Sequence, residues 1–286
     1  MISDITLGQF FPGFSPLHKM DPRMKIIVAI AYIVAIFLSN TPVAFLAMVI
    51  FTVALILISR ISIKVILKGI KPIIFILIFT ALINVFLTGA ESEPLVSWGI
   101  IKIYKEGIIR AVFMALRVII LITGTSVLLT YTTSPIALTD GIEALLSPLK
   151  LIKVPVHTFA MMMSIALRFI PTLIEETEKI MNAQKSRGAD FSSGGLVKRA
   201  KALVPLLVPL FVSSFKRAEE LAVAMECRCY RGDKNRTKLV KLSYKTVDFV
   251  MLFVFAALIT LIAFTRSMDS YITVKHLIFD IAFYKI

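Results

Sequence analysis

From Ile26 to Ile58 the chain carries no charged side chain, and in the middle of that run stands Ser39-Asn40-Thr41-Pro42. A stretch this apolar has few stable forms. In lipid every backbone N–H and C=O must be satisfied within the segment, which leaves the helix as the simplest answer. The tetrapeptide is built of turn residues. It predicts a helical hairpin with legs over about 24–39 and 42–58. Each leg reaches about 24–27 Å at 1.5 Å per residue, near the lower limit for crossing a bilayer. A re-entrant pair is the alternative. Composition points the same way, since 58% of the 286 residues are hydrophobic against about 45–50% in soluble domains.

The remaining spans follow from the charges. Residues 1–23 are irregular, broken by Pro12, Gly13, Pro16 and Pro22, with no small-residue cleavage site behind the first apolar run. No cleaved leader is expected. A basic loop with Arg60, Lys64, Lys68 and Lys71 precedes a third span at about 72–88. A segment at 89–106 sets Glu91, Glu93 and Glu106 against Lys102 and Lys105. The fourth span, about 107–131, holds Arg110 near its start and Arg117 deeper, where an arginine must snorkel or find a partner. Residues 132–245 are rich in charge, with Lys198, Arg199 and Lys201 among many bases, yet include apolar runs at 154–174 and 202–215. Arg168 and Pro171 argue against a simple span in the first of these runs. The last span covers about 247–264, with Asp248 at its edge, and the tail 265–286 has no assignment.

The net charge is +14. On a membrane protein such an excess follows the cytoplasmic bias of Lys and Arg, so nucleic acid is not expected as a partner. The rule places the N-terminus and the two most basic segments in the cytoplasm. The expected fold is an all-α integral membrane protein of about five spans, with a three-helix cytoplasmic domain containing two long crossing helices. The expected division is 1–131, 132–245 and 246–286.

Within 132–245 three helices are predicted, at about 136–147, 156–186 and 194–229. Pro171 bends the second; Pro205 and Pro209 bend the third. The second and third end alike. Glu178 precedes Arg187 by nine residues, as Glu219 precedes Arg228, and Ala183 and Ala224 each lie one turn before the arginine. Each helix thus ends in small residue, Arg, small residue: Ser186-Arg187-Gly188 and Cys227-Arg228-Cys229. A guanidinium between small neighbours stands clear of its helix and offers a five-donor fork to carboxylates or carbonyls. Basic residues favour any helix C-terminus, so one such end says little, but a duplicated end suggests two similar docking events.

No chemistry of its own is legible. No glycine is followed by lysine, so a P-loop is excluded. Zinc normally takes four ligands, and Cys227 and Cys229 have no further cysteine and no histidine near them in sequence. Glu175, Glu176 and Glu178 read as a solvated face balanced by Lys179 and Lys185. No Ser-His-Asp grouping can be assembled. No cofactor or metal is expected.

Three stretches carry a family resemblance: TLGQFFPGFSPLHKMDPRMK at 6–25, AQKSRGAD at 183–190 and RAEELAVAMECRCY at 217–230. In these the chain resembles the transmembrane T component of energy-coupling factor transporters, ABC-type importers of vitamins and transition-metal ions. The family often has Ala-Arg-Gly at the two arginine signatures. Here Ser186 replaces one alanine, and Cys227 and Cys229 flank Arg228. The resemblance covers about residues 1–264. It implies a scaffold in the cell membrane. Arg187 and Arg228 would each dock one of two cytoplasmic ABC ATPase subunits, and a small substrate-binding membrane subunit would lie against the spans and the apolar parts of the long helices.

Overall fold

The structure, a computed structural model, describes residues 10–87, 96–98, 101–189, 191, 195–232 and 242–283. Residues 6–9 of the opening segment, Glu91, Glu93 and Asp190 lie outside it, as do the side chains of Lys102, Lys105, Glu106, Lys198 and Arg199. The chain packs as two compact units, one comprising Phe10–Ser134 with Leu242–Ile286, the other Pro135–Lys241.

The first unit is a helical bundle. After the short α1 (Pro16–Lys19), α2 spans Pro22–Leu38 and α3 spans Pro42–Ser59. Both open in the same way. Asp21 accepts from the Arg23 N–H at 2.9 Å and Thr41 from the Ala44 N–H at 3.2 Å, each followed by a proline at the first helical position. A side-chain cap and a proline with no N–H to satisfy are what a helix start favours. Arg60, in the left-handed region at φ 56°, ends α3.

The basic loop expected at 60–71 is instead largely helical: α4 covers Ile63–Ile70 and leads through a single 3-10 turn into α5, Ile74–Leu87. Lys64, Lys68 and Lys71 fall at i, i+4 and i+7, one face of a helix, while Ile63, Ile66 and Ile70 share the other. Charge density alone had suggested a loop, but the 3.6-residue period decides. The segment at 89–106 contains a two-stranded antiparallel ribbon, Val96–Trp98 (β1) with Ile101–Ile103 (β2). Helix α6 covers Lys105–Thr125 and widens into a π-helical turn over Ser126–Tyr131. Helix α10, Thr246–Phe283, continues well past the expected end of the last span.

Helices α2, α3, α6 and α10 share the core, with Val28, Tyr32, Ala35, Met48, Leu55, Val127 and Leu128 all buried. Tyr32 joins three helices. Its hydroxyl donates to the Ile120 carbonyl at 3.0 Å and lies 2.7 Å from Thr52 Oγ1. The ring needs the absent side chain of Gly124, since a β-carbon there would overlap it.

A polar knot ties the start of α2 to the start of α10. Asp248, 1% exposed, accepts from the backbone N–H of Asp21 at 2.8 Å and of Lys245 at 2.7 Å. Buried Lys25 donates to the Thr132 carbonyl at 2.8 Å and to Thr133 Oγ1 at 3.1 Å. Every charge in this knot is hydrogen-bonded, the condition for keeping one out of water.

Among the described residues five helices are long and apolar enough to cross a membrane: Pro42–Ser59, Ile63–Phe86, Gly107–Tyr131, Val156–Ser186 and Thr246–Ser267. The number matches the expectation, but the membership differs. Helix α2, 17 residues long, reaches about 26 Å, at the lower limit for a span. Val156–Ser186, expected as a cytoplasmic arm, qualifies on the apolar character of its first half. The architecture is all-α apart from the small ribbon, and the chain is a multi-pass membrane protein.

In the second unit α7 (Pro135–Leu145) packs on α8 (Val156–Ser186), and α8 on α9 (Leu196–Cys227). His157 Nδ1 lies 2.9 Å from Glu143 Oε1, tying α7 to the start of α8. Pro171 stands inside α8, and Pro205 and Pro209 inside α9, without ending either helix.

Candidate docking ends of two crossing helices

The two long helices are related by an offset of 41 residues. Arg228 follows Arg187 by 41, and Arg217 follows Glu176 by the same 41. The helices meet at these equivalent positions. Glu176 receives a hydrogen bond from Ser213 Oγ at 2.6 Å and a charge-assisted one from the Arg217 guanidinium. Glu176 was expected on a solvated face with Glu175 and Glu178. Its side chain is instead 22% exposed and clasped to α9, because the facing helix carries Lys216-Arg217 where α8 carries Glu175-Glu176.

The helices run antiparallel through this junction. The first half of α8 and the end of α9 share a groove of about 600 Å³, lined by Met161, Arg168, Met225, Arg228, Tyr230 and Arg231 among others. Arg187 and Arg228 therefore lie on opposite sides of the junction, each eleven residues beyond its clasp residue, about 16 Å along the helix.

The two ends have the same backbone geometry. After α8, the N–H of Gly188 reaches the Lys185 carbonyl at 2.9 Å and that of Ala189 reaches the Gln184 carbonyl at 2.9 Å. After α9, the N–H of Cys229 reaches Glu226 at 2.8 Å and that of Tyr230 reaches Met225 at 3.0 Å. Both are Schellman endings. Gly188 at φ +86° and Cys229 at φ +55° occupy the left-handed position, and Arg187 and Arg228 are the C-caps just before it. Ser186, Arg187, Gly188, Cys227, Arg228 and Cys229 are all exposed. Among the described residues neither guanidinium has an ion-pair partner.

The left-handed turn carries the chain sharply away from each arginine, leaving the fork at the tip of the helix. Sequence reasoning found these arginines and treated their neighbours as merely small. Smallness is only part of the matter, because the residue after each arginine must also accept positive φ. The clasp was missed, although the 41-residue offset is a signal for it. Beside the junction, α9 also exposes Leu203, Val204, Leu207, Val208, Phe211 and Phe215, an apolar face uncovered within its unit.

Residues 13–239 match the CbiQ cobalt transport protein family. The chain is 55% identical over 250 residues to the energy-coupling factor transporter transmembrane protein EcfT of Clostridium kluyveri, covering 87% of this chain and 92% of that one. To EcfT of Acidaminococcus fermentans it is 50% identical over 266 residues, covering 93% and 98%. To EcfT of Bacillus subtilis it is 46% identical over 267 residues, covering 93% and 100%. With the match running through the bundle and both arginine-tipped helices, the chain belongs to the CbiQ/EcfT family, the transmembrane component of energy-coupling factor transporters.

Proposed function

We propose that this protein is the coupling scaffold of an energy-coupling factor importer for vitamins or related micronutrients. Two cytoplasmic ABC ATPase subunits dock on it, one on Ser186-Arg187-Gly188 and the other on Cys227-Arg228-Cys229. A small substrate-binding membrane subunit lies against the exposed apolar face of α9 and the spans. The N-terminus and the unit containing α7–α9 are cytoplasmic, a placement that the distribution of bases supports. ATP is hydrolysed on the partners, and this chain transmits the motion.

The observation that carries this reading is the matched pair of helix ends. Two exposed arginines, on identical terminal turns and at equal distance from one clasp, suit two copies or homologues of one partner better than two unrelated ligands. Each fork offers donors to carboxylates or carbonyl oxygens in a partner groove. The clasp makes α8 and α9 move as a pair, so displacement at one tip is felt at the other.

The test is co-purification. Arg187→Glu with Arg228→Glu reverses both charges at exposed positions, where the fold itself tolerates change. Expected is loss of both ATPase subunits with membrane insertion intact. A stoichiometric complex surviving the double substitution refutes the docking assignment.

A further inference from the structure

In the bundle, the turn between α2 and α3 and the first half of α6 enclose a groove of about 400 Å³. Arg110 and Arg117 line it, seven residues apart and so on one face of α6. Among the described residues lining it there is no carboxylate; the other polar groups are Ser39, Asn40, Thr41 and Asn84. Arg117 uses one N–H on the Ser39 carbonyl at 3.0 Å, while its Nε–H is buried without an acceptor. Arg110 is exposed. The walls are apolar, with Ile109, Phe113 and Met114 each about two-fifths or more exposed.

Two guanidiniums stand at the end of a helical hairpin, with no carboxylate among the described residues that line the groove, beside surface that faces acyl chains. A fork of parallel N–H groups matches the oxygens of a phosphate. We propose that this groove binds a phosphate-bearing anion held by Arg110 and Arg117. The headgroup phosphodiester of an anionic phospholipid also satisfies the apolar wall, and free phosphate is the other source of the same chemistry.

The test is native mass spectrometry of the delipidated full chain in detergent, challenged with phosphatidylglycerol, phosphatidylcholine and millimolar inorganic phosphate. Wild type is expected to retain phosphatidylglycerol over phosphatidylcholine. Arg110→Ala is expected to weaken retention about five-fold, the effect of one basic residue near an anionic surface, and Arg110→Lys much less. Arg117→Ala also removes the brace on Ser39, so exposed Arg110 provides the cleaner variant. Displacement of the lipid by inorganic phosphate identifies a site for the free anion, and persistence of the lipid identifies a headgroup site. Equal retention of both lipids with no phosphate binding, or Arg110→Ala behaving as wild type, overturns the proposal.

Discussion

Cys229 stands where Gly188 stands on the other helix, and exchanging the two residue types is expected to move the two helix ends in opposite directions. An L-residue in the left-handed region costs about 1–2 kcal/mol. Glycine returns about 0.4–1 kcal/mol of that through its greater freedom in the unfolded chain. The difference leaves roughly 0.5–1 kcal/mol in favour of Cys229→Gly and against Gly188→Cys. The reporters are the amides that close the two terminal turns, Tyr230 to Met225 at 3.0 Å and Ala189 to Gln184 at 2.9 Å. Residue-resolved hydrogen exchange reads their opening. The expected change is about two- to five-fold, since 1.4 kcal/mol is a factor of ten: slower at Tyr230 in Cys229→Gly, faster at Ala189 in Gly188→Cys. Changes of the same sign at the two ends, or none at Tyr230, refute the claim that backbone conformation sets these positions.

The other expectations concern the bundle and the clasp. A β-carbon on Gly69 would meet the Tyr131 hydroxyl, so Gly69→Ala is expected to destabilise the solubilised protein by about 1–3 kcal/mol. Tyr131→Phe should restore much of that loss, and thermal melts of the four proteins form the cycle. Asp248→Ala strands two backbone N–H groups and removes a negative charge that favours the charged form of the buried Lys25; a loss of about 3 kcal/mol is expected, read as a lower melting temperature. In Glu176→Arg the clasp faces two like charges, and transport by the assembled complex should fall. Adding Arg217→Glu should recover it, whereas a double variant no better than the single one would show that the pair does not couple the helices.

Much of the fold was legible because its signals are local. Ser39-Asn40-Thr41-Pro42 marks the turn between two helices, and the uncharged run from Ile26 to Ile58 around it leaves little else to form. The arginine tips were legible because their pattern repeats. Other features depend on long-range contacts. Glu176 looks solvated until Ser213 and Arg217, 37 and 41 residues later, are brought opposite it. Cys229 gives no sign of positive φ in sequence, since cysteine is not a usual left-handed residue. The helix at Ile63–Ile70 was hidden by its own lysines, whose spacing rather than number carried the information.

The central claim is that each arginine tip holds one ATPase subunit, and the mass of the nucleotide-free complex tests it most directly. With Arg187→Glu alone, or Arg228→Glu alone, native mass spectrometry should find this chain with one ATPase subunit rather than two. Finding both subunits still bound in each single variant, or both lost from either one, would contradict the account of two independent and equivalent docking ends.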